Sequence, residues 1–210
     1  MESADRVDIA QWRSFMQNPA AYAHPERLAA CFDRAISATA CKTLLETKRL
    51  STRLSHLIEK RYALGAERSA EEAIGEEDRR VALLPPDAMA EVAMRAGVTY
   101  WASAFAGAIT GSEAAPLRRE FGEELCAYAL ANKDLAGPKQ ELDPVDTARE
   151  RIASDGWRCL AAWCHVVGPA AGTRFRLKLR PMALLDEVPS AALLEIGPQI
   201  IRRVAGQGRA

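Results

Sequence analysis

Three histidines and five cysteines are the side chains here that could do metal or nucleophilic chemistry. Cys159, Cys164 and His165 come closest to a cluster. A zinc site usually draws on short C-x2–4-C pairs, with a second pair elsewhere in the chain. Here the spacing is C-x4-C-H, and on a helix the adjacent residues 164 and 165 would point about 100° apart. No second cluster follows, so these residues read as core thiols beside a surface or internally bonded histidine. Cys-His catalysis needs a thiolate within reach of a base. Three His and five Cys make chance pairs easy to name, and His24 falls in a connector and His56 on a helix face. The pairs Glu71-Glu72 and Glu76-Glu77 lie in a charged run, where nothing buries a carboxyl to raise its pKa. Neither GxxxxGK[ST] nor GxGxxG occurs. The sequence therefore nominates no catalytic residue, no metal site and no cofactor.

The most regular pattern is RFRLKLRP, residues 174–181. Period-two alternation predicts an extended segment with Phe175, Leu177 and Leu179 on one face and Arg174, Arg176, Lys178 and Arg180 on the other. The apolar face would close a core. The basic face would lie in water, open to an acidic protein surface. Nucleic acid fits poorly, since no aromatic groups are interleaved on the basic side for stacking. A lone strand also leaves backbone groups unpaired, so it requires a second strand, a partner chain or solvent.

The elements that must position these residues read as helices. The chain has 210 residues, enough for one sizeable core. Its 28 Lys and Arg balance 28 Asp and Glu, whereas nucleic-acid binding by a whole domain usually leaves a basic excess. The N-terminal residues MESADRVDIAQW have no secretory pattern. Residues 88–109 are too polar for a membrane span. Odd cysteine number without a CxxC pair argues for reduced thiols in a cytoplasmic protein.

Periodicity predicts a first helix over about residues 4–17, with Ile9, Trp12 and Met16 on one face. A connector holds Tyr22, and a helix starts at Pro25 with Leu28, Cys31, Phe32, Ala35 and Ile36 inward. A long helical stretch from Leu44 to Tyr62 follows. Its basic residues Lys42, Lys48, Arg49 and Arg53 lack the tight turn of a helix-turn-helix repressor. Residues 66–80 read as an exposed charged connector between an N-terminal helical part, 1–65, and a main helical part, 81–205. In the latter, one long thin helix runs from Pro85 to about Thr110. Ser112 caps the next, with Glu113 near its dipole and Leu117, Phe121, Leu125 and Tyr128 inward. Asp143-Pro144 opens a helix with Val145, Ala148, Ile152, Cys159 and Trp163 buried and Gly156 as a close contact. Residues 181–188 form a connector, and the last helix is interrupted at Gly197-Pro198. The fold class is mainly α: a single-core, bundle-like domain with one short extended segment near 174–180.

Three stretches then carry a resemblance. They are NPAAYAHPERL at 18–28, LLPPDA at 83–88 and GWRCLAAWCHVVGPAAGTRFRLKLRP at 156–181. In that order and at those separations they resemble the SctK/YscK family of type III secretion systems. The closest points are Pro19-Ala20-Ala21-Tyr22, Gly156, Leu160-Ala161-Ala162 and Arg176–Pro181. The resemblance implies a mainly helical, non-enzymatic cytoplasmic adaptor in protein transport and virulence. It would link the sorting-platform pods, built by SctQ with SctL and the SctN ATPase, to the cytoplasmic domain of the inner-membrane ring protein SctD. Localisation would be peripheral at the inner membrane, without insertion and without nucleic acid. Candidate partner-binding residues are Arg174, Arg176, Lys178, Arg180 and Tyr22, the last read equally as a packed corner. The alternative is a helical DNA-binding or ligand-binding regulator.

Overall fold

Apolar residues at helical spacing, punctuated by proline and by Ser or Asn caps, produce a chain of short helices. The structure, a computed structural model, describes residues 9–64, 74–109 and 114–207. Among them are twelve α-helices and no strand. In chain order these are α1 (Ile9–Gln17), α2 (Pro25–Ala30), α3 (Ala38–Glu46), α4 (Ser51–Arg61), α5 (Glu76–Leu83), α6 (Met89–Tyr100), α7 (Ala102–Ile109), α8 (Ala114–Ala131), α9 (Val145–Val166), α10 (Pro169–Leu177), α11 (Ala183–Asp186) and α12 (Ala191–Gln207). The mainly α class is thus observed. The contacts fall into two compact units, a division that the reading of a single core did not draw. One comprises residues 1–86 with 167–182, the other 87–166 with 183–210.

In the first unit, α1 buries Trp12, Phe15 and Met16, while Ile9 is exposed. The inward face is therefore i, i+3, i+4 from Trp12, not from Ile9. Asn18-Pro19 ends α1 as expected, and a 3-10 turn at Pro19–Ala21 follows. Ser55 Oγ donates to Asn18 Oδ1 at 2.7 Å and accepts from the Ala20 amide at 3.2 Å, fastening that turn to α4. Pro25 starts α2, but α2 ends at Ala30, earlier than its apolar periodicity suggested. Asp33 and Arg34 take left-handed backbone, and the Arg34 amide donates to the Ala29 carbonyl at 3.0 Å, a six-to-one closure of the Schellman kind. Ser37 is the N-cap of α3 and accepts from the Ala40 amide.

The predicted long stretch from 44 to 62 is broken. Thr47 is extended, a 3-10 turn spans Lys48–Leu50, and α4 begins at Ser51. The charged run is also corrected in part. Residues 66–73 lie outside the described residues, but Glu76–Leu83 is α5. Three acids fill its first turn and Arg80 its last, which complements the helix dipole. Its buried side carries Val81 and Ala82.

In the second unit, the predicted long helix is α6 and α7, divided at Trp101. Both are built on small residues, and α6 packs along α9. Ser112 and Glu113 lie outside the described residues. Gly122, at φ 79°, kinks α8. The buried positions shift there by one, from Leu117 and Phe121 to Cys126 and Ala129 in place of Leu125 and Tyr128. Helix α9 begins at Val145 and buries Ala148, Ile152, Cys159 and Trp163. Residues 183–186 of the expected connector form α11. Helix α12 runs through Pro198 without ending; Gly197, Ile200, Ile201 and Val204 are buried along it. Among the described residues no helix is long and apolar enough to cross a membrane.

Candidate partner-binding surface

The segment RFRLKLRP is not extended. Residues 174–177 end α10, and Lys178 keeps right-handed helical backbone as its C-cap. Gly168 at φ 89° turns the chain out of α9, and Pro169 sits at the start of α10, where its missing N–H costs nothing. Alternation in the sequence is real, but helical rotation sorts it differently. Residues four apart share a face, within about 40° of each other. Arg174 therefore shares a face with Lys178, whereas Arg180 lies beyond the helix.

That pair points inward, against the expectation of a solvated basic face. Arg174 is 4% exposed and Lys178 7%. Arg174 donates through Nε to the Met16 carbonyl (2.9 Å), through Nη1 to Ala170 (2.8 Å) and through Nη2 to Leu64 (3.1 Å). Lys178 Nζ donates to the Ala82 carbonyl (2.8 Å) and to that of Leu84. It also lies 5.6 Å from the Phe15 ring centroid and 5.7 Å from that of Phe175. Met16 is in the last turn of α1, Ala82 in the last turn of α5, and Leu64 follows α4 by three residues. The last carbonyls of a helix lack intrahelical donors and carry partial negative charge. Two buried cations therefore close the ends of α1 and α5 and the turn that follows α4, with carbonyl oxygens as their acceptors.

Burial pushes the Lys178 pKa down to about 8 from an ordinary 10.5. Below pH 8 folded and unfolded chains both hold this proton, and Lys178 adds no pH dependence. Between about 8 and 10.5 the unfolded chain holds a proton that the folded one has released, so stability rises with pH. Burial raises the Tyr22 pKa and those of Cys41 and Cys159. Those groups act in the opposite sense at alkaline pH, so the informative quantity is a difference. Wild type is expected to gain on Lys178→Met by up to roughly 3 kcal/mol as pH rises from about 8 to 10. Urea unfolding of both proteins across that range checks it; a pH-independent gap would contradict the assignment.

Arg180 faces outward, and Arg176 does so in part. Arg180 has a side chain 76% exposed and pairs with Glu26 at 2.9 Å. Arg176 is half-buried, and its Nε is buried without a partner among the described residues. Tyr22 resolves as a packed corner: its ring stacks on Phe15 at 4.9 Å, and its hydroxyl donates to the Phe15 carbonyl at 2.8 Å. Of the five candidate residues, only Arg176 and Arg180 thus offer a surface. Two sequence signals pointed to this outcome. Gly168-Pro169 is a helix start, and a spacing of four between Arg174 and Lys178 matches a helix as well as a strand.

The other candidate chemistry is spread apart. Cys159 and Cys164 are buried, and His165 is exposed. In the second unit, a cleft of about 440 Å³ is lined by Trp101, Arg151, Asp155 and Arg158, and one of about 300 Å³ by Arg158, Leu184, Glu187 and Leu193. Their polar groups are mutually engaged. Trp101 Nε1 donates to Asp155 at 2.7 Å, and Arg158 bonds Asp155 at 2.9 Å and Glu187 at 3.1 Å. The chain matches no protein-family profile, no curated protein and no solved structure.

Proposed function

We propose that this chain is a non-enzymatic adaptor of a bacterial type III secretion system, of the SctK/YscK kind. It would join the SctQ pod, with SctL and the SctN ATPase, to the cytoplasmic domain of SctD. It would sit at the cytoplasmic face of the inner membrane through those partners. One observation supports the reading beyond the sequence itself: parts of the three stretches that carry the resemblance, residues 18–28, 83–86 and 167–181, meet in the first unit. The His24 amide donates to the Leu177 carbonyl at 2.7 Å, Arg27 Nε to the Leu179 carbonyl at 3.2 Å, and Lys178 to the Leu84 carbonyl. Glu26 and Arg180 close the same junction. Residues far apart in sequence that share one junction are constrained together, as a common scaffold requires.

The test is co-expression with the SctQ and SctD homologues encoded near the gene, followed by size-exclusion chromatography with light scattering. A discrete complex with either is the expected result. Separate elution from both at tens of micromolar and low salt would remove the reading.

A further inference from the structure

The surface that does carry uncompensated positive charge lies elsewhere in the first unit. Residues 34–61 contain seven Lys or Arg against two Glu, in a chain whose total is balanced. All seven cations, Arg34, Lys42, Lys48, Arg49, Arg53, Lys60 and Arg61, are exposed. None makes an ion pair with a described residue. Elsewhere several half-buried arginines are neutralised, Arg95 by Glu91 and Glu124, Arg158 by Asp155 and Glu187, Arg203 by Asp134, while exposed cations without an ion pair, such as Arg118 and Arg119, are fewer together.

The fold explains why they gather. Helix α4 buries Leu54, Ser55 and Ile58, so Arg53, His56 and Lys60, at i, i+3 and i+7, form its outer stripe. The break at Thr47 places Lys48 and Arg49 in the exposed turn that leads into α4, and Lys42 is exposed on α3. We propose that this corner, α3 with the 48–50 turn and α4, is an electrostatic docking surface for an acidic segment of a partner protein.

The make-up of the surface selects that partner. Its exposed positions are Lys, Arg, Thr and His, with Ala40 and one acid, Glu46, and no exposed aromatic or large aliphatic group between residues 38 and 61. Insertion into a lipid headgroup layer requires such groups, and stacking of single-stranded bases requires aromatics. A long duplex would extend beyond the corner, over a remainder of the chain that carries more acids than bases. A short acidic segment can seat on the corner alone. Contacts of this type speed encounter and set specificity, and they weaken with salt. The proposal does not depend on the adaptor reading, since it follows from the charge and exposure of this surface alone.

The experiment uses the full chain and a fluorescent poly-Glu peptide, read by anisotropy at low ionic strength with duplex DNA of equal total charge as competitor. One variant carries Lys42→Gln, Lys48→Gln, Arg49→Gln and Arg53→Gln together. The control carries Arg118→Gln and Arg119→Gln, on exposed positions of α8. All three proteins must give the same far-UV dichroism, which the exposure of every substituted residue favours. The corner variant is expected to bind poly-Glu at least about tenfold more weakly and with a shallower salt dependence, while the control binds as wild type. Equal affinity of the corner variant, or no binding by wild type, would overturn the proposal. Displacement of the peptide by sub-stoichiometric duplex would overturn it in favour of nucleic acid.

Discussion

Gly156→Ala is expected to cost about 3 kcal/mol or more and to lower the thermal midpoint by several degrees. The reason is the approach of α9 to α6. A Cβ on Gly156 would overlap the Ala93 carbonyl oxygen, with the Ala93 carbonyl carbon at 2.6 Å and the Gly97 amide nitrogen at 3.0 Å. All three obstacles are backbone, so no side chain can rotate aside. One turn away the fit is reciprocal, because a Cβ on Gly97 would overlap the Ile152 carbonyl. Relief requires the two helices to separate, and that loosens the packing of Ile152, Ala93 and Ala96, all buried. Gly107→Ala is the matched comparison. It lies in α7 and an added methyl there meets nothing within 4 Å. It should be neutral or stabilising by up to about 1 kcal/mol, since alanine restricts the unfolded chain and favours helix. Urea unfolding followed by far-UV dichroism measures both. If Gly156→Ala matched Gly107→Ala, the close approach would be wrong.

Arg174→Met is expected to destabilise by about 3–5 kcal/mol. The substitution keeps an unbranched apolar stem but leaves the Met16 and Leu64 carbonyls buried without donors. A charge-assisted hydrogen bond is worth about 1.5–3 kcal/mol, and an orphaned buried acceptor adds its desolvation cost. Arg174→Lys should fall between, because an ammonium on a shorter reach cannot span acceptors on separate elements. Arg174→Glu should not fold, as it brings an anion to carbonyl oxygens. Had the residue faced water, all three variants would be nearly neutral. A change below about 0.5 kcal/mol for Arg174→Met would return Arg174 to the surface.

The helical class was legible because it rests on local rules. Pro25 at a helix start, Asn18-Pro19 as a stop and the buried face of α9 all follow from residues close in sequence. Gly156 was also legible as a close contact. Breaks without proline were harder to see. Thr47, Trp101 and Gly122 end or kink helices through backbone conformations that the flanking apolar spacing does not announce. The inward turn of Arg174 and Lys178 was the least legible feature. Their acceptors are carbonyls, which every residue carries, so no residue type marks the site. Only Arg176 and Arg180 remained where a surface reading puts them. The basic corner was visible as a run of charges, but its accessibility depended on the break at Thr47.

The helix-end closure by α10 has a consequence for synthesis on the ribosome. Met16 and Leu64 leave the exit tunnel early, yet their donor lies 158 and 110 residues away. Residues 87–166, which belong to the other unit, are translated in between, and that unit in turn awaits residues 183–210. At about 5–20 residues per second, the nascent N-terminal helices wait roughly 6 to 30 seconds for Arg174. The first unit therefore cannot finish until residues 167–182 have emerged, after most of the second unit has been made. Until then the unfinished chain is a natural client for chaperones.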